Sequence, residues 1–200
     1  MSNTPLFLLQ KQVVECRLCP RLVEFREHVV AKPQFKNCDH WRKPVPGFGD
    51  PNAKVLLLGL APSINGGNRT GRIFTGDATA DFLFQALYAL GLSNMPTSQD
   101  RQDGLKLINC YMTAAVKCVP PNHKPTKEEC QNCSQYWQNE LSLLPKVQSV
   151  VAFGKFAFDV FLQYAKKNGN NTKGMTFEHG NVYHFESMPN LVACYHPSPQ

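Results

Sequence analysis

Apolar side chains recur at helical spacing through residues 5–29, at Leu9, Val13, Leu18, Leu22 and Phe25, and predict helix there. An irregular stretch follows and closes on PVPGFGDPN at 44–52, which reads as a connection. The pattern then changes: KVLLLG at 54–59 is an unbroken apolar run of strand length, as expected of a buried strand. Helical spacing returns in ATADFLFQALYALGL at 78–92, and KLINCYMT at 106–113 predicts a second strand. Thr126, followed three residues later by Glu129, forms a capping box that opens a helix running to about Leu144. VVAFG at 150–154 is a third strand, KFAFDVFLQYAKK at 155–167 a helix ended by NGNN, and VYHFE and LVACYH are two short strands.

Strand and helix in alternation predict an α/β fold, with a mainly parallel sheet covered on both faces. The alternation leaves strand order open. Such sheets bind ligands beyond the carboxyl ends of their strands, and three segments leave those ends: 59–77, 114–125 and the terminal HPSPQ. If they converge, a site would combine a Gly-rich loop, a Pro-rich loop and His196.

Composition narrows the classes. With 200 residues, 42% hydrophobic and 18% charged, the chain suits a single domain over 1–200. No apolar run reaches the roughly 18–20 residues of a membrane helix, and MSNTPLFLLQKQ lacks the features of a secretion signal, so a cytoplasmic protein is expected. The formal charge of +6 is mild, but its placement matters. Arg69 and Arg72 lie in the Gly-rich loop, and Lys117, His123, Lys124 and Lys127 in the Pro-rich one, which suits a polyanion. The competing reading is a solvated surface.

Two features carry candidate chemistry. GLAPSINGGNRTGRIFTGD at 59–77 holds five glycines and two arginines, the composition of a loop whose backbone N–H groups approach a ligand. It lacks the closing Lys followed by Ser or Thr of a nucleotide-binding P-loop. The eight cysteines are unevenly spaced. Cys16 with Cys19, and Cys118 with Cys133, form two pairs flanking helices, and four thiolates suit tetrahedral zinc or an iron–sulfur cluster. Cys130 with Cys133 is a second CxxC, the spacing of a zinc ribbon, although Cys118 sits at a rigid Pro-rich turn that favours it as a ligand. Cys38, Cys110 and Cys194 read as small buried hydrophobes.

Taken together, CRLC, GLAPSINGGNRTGRIFTGD, VKCVPPNHKPTKEEC and YHPS resemble the uracil-DNA glycosylase superfamily, and most of all its family 5, the type B enzymes, over nearly the whole chain. The resemblance implies a three-layer α/β/α sandwich around a four-stranded parallel sheet, with a [4Fe–4S] cluster held by Cys16, Cys19, Cys118 and Cys133. It implies base excision repair: a monomer that flips uracil or another deaminated base out of DNA and hydrolyses the glycosidic bond. Gly59, Leu60 and Ala61 would approach the flipped nucleotide and Phe74 would stack on its base. Arg69, Arg72, Lys124 and Ser198 would meet flanking DNA. His196 would donate to the departing base, and Asp77 would position water, with a helix N-cap as its competing role.

Three departures qualify the pattern. Leu60 stands where related families carry a polar residue that orients water. The family's Asn in CxPPxN is replaced by His123, with Asn122 one position earlier, so either is expected to contact the base or neighbouring DNA. Relatives also continue beyond HPS, so the expected domain is one shortened after Gln200. Two alternatives remain at this stage: an iron–sulfur protein that binds DNA lesions without catalysis, and a zinc-ribbon nucleic-acid-binding module.

Overall fold

The computed structural model describes residues 4–198. Its single sheet has six strands: β1 (Phe48–Gly49), β2 (Val55–Gly59), β3 (Cys110–Ala114), β4 (Ser149–Phe153), β5 (Val182–Tyr183) and β6 (Asn190–Cys194), in the order β1-β3-β2-β4-β6-β5. The four long strands are parallel, and the expected four-stranded sheet is this central part. Two two-residue strands pair antiparallel at its edges. One of them, β1, lies inside the stretch read from sequence as a plain connection. The second long strand begins at Cys110 rather than Lys106.

The helix predicted over 5–29 is two helices, α1 (Pro5–Glu15) and α2 (Pro20–His28). Pro20 has no N–H to donate and forces Cys19 into extended backbone, so the apolar stripe continues but the helix does not. The break releases the CRLC segment as a turn. A four-residue helix, α3 (Gly67–Thr70), interrupts the Gly-rich loop, and α4 (Ala78–Ala89), α5 (Lys127–Ser142) and α6 (Lys155–Lys167) follow. The capping box at Thr126 and Glu129 opens α5.

Strand parity divides the core into two. Leu56, Leu58, Tyr111, Val150, Ala152, Leu191 and Ala193 face α5 and α6, where Trp137, Phe158 and Phe161 are buried. Leu57, Cys110 and Met112 face the other way, against Leu83, Phe84 and Leu87 of α4. The chain steps from β2 outward through α4 to β3, then returns through α5 to β4 on the other side of β2. Right-handed crossovers in opposite directions put their helices on opposite faces, which makes the three layers. They also leave a crevice at the carboxyl ends of β2 and β4, where the direction of travel reverses.

Candidate active site and cysteine cluster

That crevice is floored by Phe74. Its ring lies edge-on to Phe153, the last residue of β4, with centroids 5.6 Å apart. Gly59, the last residue of β2, is required here, since a Cβ on it would stand 2.8 Å from the Phe74 ring. Phe74 is buried and adopts the left-handed conformation, with φ of 50°. An aromatic held in that strained region needs surroundings that over-determine it, and such strain concentrates at functional sites.

The Gly-rich loop above is knitted to itself. Asp77 is the N-cap of α4, its Oδ1 accepting from the Ala80 N–H at 3.1 Å. Its Oδ2 accepts from the Ser63 hydroxyl at 2.6 Å, and Ser63 Oγ accepts in turn from the Gly66 N–H. Gly66 must lack a side chain, because a Cβ would lie 2.3 Å from Asp77 Oδ2. Arg69 donates to the carbonyls of Asn65 and Gly76 and lies over the Phe35 ring. Arg72 corrects the sequence reading. It is 4% exposed, paired through both terminal nitrogens with Asp103 at 2.9 and 2.6 Å, and it donates also to Thr75 and Ser98. A guanidinium so placed holds the loop and has no face left for a DNA phosphate.

His196 stands two residues beyond β6. The Ser198 N–H donates to the His196 carbonyl at 2.8 Å across a buried Pro197, a tight turn that presents the imidazole and leaves Ser198 exposed. His196 is exposed overall, but partial desolvation of its ring lowers its pKa below the usual value; the Asp77 carboxylate opposes that shift and His123 reinforces it. The His196 ring is thus within electrostatic reach of Asp77 and of His123, which come from two other loops.

The loop after β3 begins alongside the loop after β2, with the Ala115 and Val116 N–H groups donating to the carbonyls of Gly59 and Leu60. Leu60 and Ala61 are half-buried at this junction. Asn122 and His123 are both exposed and both left-handed, with φ of 52° and 56°. Lys124 is exposed, its carbonyl held by Arg21. Lys117, counted from sequence among the free cations, is instead fully buried, 2.7 Å from Glu140. The Glu140 carboxylate also accepts from Thr113 and from the Gly47 N–H.

The four expected cysteine ligands gather beside this loop. Cys16 and Cys19 flank the α1–α2 break, Cys118 follows β3 and Cys133 lies on α5. Cys19, Cys118 and Cys133 share one packed cluster with Leu22, Val116 and Tyr136. Burial and the neighbouring Cys16 sulfur push the Tyr136 phenol above its usual value. Arg26 Nη1 donates to Cys118 Sγ at 3.1 Å, the Lys117 N–H to Cys133 Sγ at 3.4 Å and Asn132 to Cys19 Sγ at 3.6 Å. Arg26 is buried and its Nε has no partner among the described residues. Burial pushes the Cys118 thiol up to about 11 and the Cys133 thiol to about 12, values at which bare cysteines stay protonated. Cys130, partly buried, packs against the same cluster as Cys19 does. Among the described residues no three Cys, His, Asp or Glu side chains converge as a single-ion site requires. Cys38, read as a buried hydrophobe, is exposed, whereas Cys110 is buried and Cys194 half-buried.

Two contributors went unremarked in the sequence. Ser63 was marked by S-x-x-G, the spacing of a hydroxyl-stabilised turn. Arg26 was marked by standing four residues after Leu22, a cation on the apolar stripe of its helix. A surface recess of about 560 Å³ lies at the amino ends of β4 and β6, bordered by Leu144, Pro145, Gln148, Tyr164 and Met188. None of its lining residues carries a charge, and it stands away from every group described above.

The family model described as the uracil DNA glycosylase superfamily matches residues 46–200. The chain is 47% identical over 186 residues to a type-5 uracil-DNA glycosylase of Thermus thermophilus, covering 92% of this chain and 83% of that protein. It is 45% identical over 188 residues to one of Pyrobaculum aerophilum, covering 94% and 80%. A type-4 uracil-DNA glycosylase of Sulfurisphaera tokodaii is more distant, 28% identical over 185 residues, covering 88% and 74%.

Proposed function

The chain belongs to the uracil DNA glycosylase superfamily, on its type-5 branch, and from that premise we propose that it removes uracil from DNA by hydrolysing the N-glycosidic bond. The observation within the site that carries this reading is the placement of His196 just beyond β6, of Asp77 in the loop after β2 and of Phe74 against the end of β4, all at the carboxyl ends of the parallel strands. No helix among the described residues is long and apolar enough to cross a membrane. Action as a cytoplasmic monomer belongs to the same proposal.

A base stacked in a duplex is beyond reach of these groups, so the nucleotide must swing out, at a cost of a few kcal/mol that is least for a mispaired base. Phe74 offers a ring for the extruded base, and the missing side chain of Gly59 lets that ring sit against the sheet. Stacking of this kind is worth about 1–3 kcal/mol per base. Asn122 and His123 present side chains to the base edge from a strained turn.

As the C–N bond opens, positive charge grows on the sugar and negative charge on the departing base. His196, its pKa lowered, is neutral at pH 7 and donates an N–H to a base carbonyl, stabilising the developing anion without carrying a charge of its own. Asp77 attracts the sugar cation and orients water toward C1′; its oxygens retain lone pairs beyond those used by Ala80 and Ser63. Leu60 contributes only shape. Water supplies the nucleophile, the base leaves with a proton drawn from solvent, and the strand stays uncut.

The proposal includes a [4Fe–4S] cluster on Cys16, Cys19, Cys118 and Cys133. The donor set supports it: buried Arg26 and two further N–H groups face sulfurs whose charge would otherwise be uncompensated. When bound, the cluster supplies a covalent tie between the α1–α2 turn, the loop after β3 and α5.

The test is incubation with uracil-containing duplex DNA, expecting free uracil, an abasic product and no adduct on borohydride treatment. Release of no base, or a trapped covalent adduct, would overturn the reading. Protein purified without oxygen should contain iron and acid-labile sulfide, retained in Cys130→Ser and lost in Cys133→Ser.

A further inference from the structure

An aromatic ladder climbs out of the core beside His196. Phe158, buried on α6, packs against Phe177 with centroids 5.6 Å apart, and Phe177 against Tyr195 at 6.1 Å. Tyr195 then stacks on His179, their centroids 4.7 Å apart and their planes within 13° of parallel. Tyr195 is 59% exposed and His179 is exposed too, so the top of the ladder is a flat, wet aromatic surface.

This surface is rigid. The Tyr195 N–H donates to His179 Nδ1 at 3.1 Å, which fixes the ring and puts its proton on Nε2, since a backbone amide only donates. On either side the Gly180 N–H donates to the Ala193 carbonyl and the Ala193 N–H to the Asn181 carbonyl, binding the His179 segment to β6. Core packing explains Phe158 and Phe177. It does not explain two outer rings locked parallel in solvent, one of them directly preceding the residue that faces the reacting base.

Resting on the glycosylase reading above, we propose that the Tyr195–His179 pair is a stacking platform for the nucleobase adjacent to the extruded uridine. Flipping leaves a gap in the duplex stack, and the neighbouring base loses one stacking partner. A preordered aromatic surface next to His196 replaces that partner at little entropic cost. Glu178, which precedes His179 in the chain, adds negative charge to this segment and disfavours a phosphate there. The platform thus stabilises the opened duplex while Phe74 holds the extruded base.

The probe is a duplex with a tetrahydrofuran abasic analogue flanked by 2-aminopurine, whose fluorescence reports stacking without any chemistry. Wild type should bind it and change the probe's emission. Tyr195→Ala should lose that change and bind about tenfold more weakly, and Tyr195→Phe should retain both. Because Tyr195 is largely exposed, the alanine variant should melt like wild type, and the phenylalanine variant serves as control if it does not. Binding by Tyr195→Ala within twofold of wild type with the same emission change, or failure of Phe to restore them, would sink the platform. Uracil release by wild type in parallel separates this failure from that of the glycosylase reading, which falls only if no base is freed.

Discussion

The loops that leave β2 and β3 look alike in sequence, each rich in Gly or Pro and each carrying cations, yet the structure uses them differently. The loop after β2 turns its polar groups inward: Ser63, Arg69, Thr70, Arg72 and Thr75 all bond within the loop or to the 98–103 segment. The loop after β3 buries only its first cation, Lys117, and presents His123, Lys124 and Lys127 to solvent. One is a rigid, self-bonded mount, the other an exposed basic surface. A cation's position in a loop therefore says little about its partner until burial is known.

The sharpest way to break this contrast is Arg72→Ala. Removing one member of a buried pair strands the other, and typically costs about 3–5 kcal/mol. Four acceptor atoms, two on Asp103 and one each on Ser98 and Thr75, lose a donor together. For a domain of this size the melting temperature should fall by roughly 10 °C, while the salt dependence of DNA binding stays unchanged. A stable variant with a shallower salt slope would return Arg72 to the DNA. Acid sharpens the same point. Burial alone would raise the Asp103 carboxyl, but hydrogen bonds from Arg72 and from the Leu105 and Gln99 N–H groups outweigh it and hold the pKa at about 2. A depressed carboxyl contributes stability above its ordinary pKa and loses it as pH falls toward the folded one. Wild type should therefore lose stability between about pH 4 and 2, and Arg72→Ala should show less of that loss.

Next in size is His196→Ala. Removing a donor aimed at a developing anion costs about 100- to 1000-fold in rate, read by single-turnover excision with an unchanged melting temperature. Because the folded pKa lies below 6.5, the wild-type rate should be level from pH 8 down to that value and fall only beneath it, as the neutral donor is lost. A rate that climbs on acidification would mean the imidazolium is the working form.

A smaller effect tests whether the rigid loop serves chemistry as well as stability. Ser63→Ala removes the hydroxyl that holds Asp77 Oδ2 and leaves the Ala80 cap on Oδ1 in place. Hydrogen bonds to charged groups are worth about 1.5–3 kcal/mol, so excision should slow about tenfold, with Ser63→Thr closer to wild type. If the melting temperature falls and the rate does not, Asp77 is only a helix cap.

The elements were legible where period and punctuation agreed. The apolar runs of β2 and β4, the capping box of α5 and the NGNN stop after α6 each rest on local rules. The break at Cys16–Cys19 was hidden because Leu18 and Leu22 continue the helical spacing across Pro20, although Leu18 is 55% exposed in the fold. At the site, residue types were legible and their surroundings were not. Asp77 is the helix cap that local pattern offered, through its Oδ1, while its Oδ2 is held by Ser63, a partner that pattern did not name. Arg72 and Lys117 found carboxylates 31 and 23 residues away, at Asp103 and Glu140, and pairings at such separation leave no mark on local pattern.

The mildest prediction lies on the exposed side of the contrast. Lys124 follows the two left-handed residues Asn122 and His123, and its side chain is free in solvent while Arg21 pins its carbonyl. A lysine so held meets a phosphate as a point charge, without reading sequence. Each phosphate neutralised releases counterions and adds about 0.9 to the slope of log K against log salt. Lys124→Ala should therefore weaken binding to every duplex alike and make that slope shallower by about one, with melting temperature and saturating excision rate unchanged. Titration of two unrelated duplexes at several salt concentrations reads both quantities. Because the backbone there is strained, Lys124→Arg is the informative partner: it keeps the charge and should keep the slope. If Lys124→Ala instead altered the rate at saturating DNA, the loop after β3 would belong to the reacting machinery as much as the loop after β2, and the division between mount and contact surface would fail.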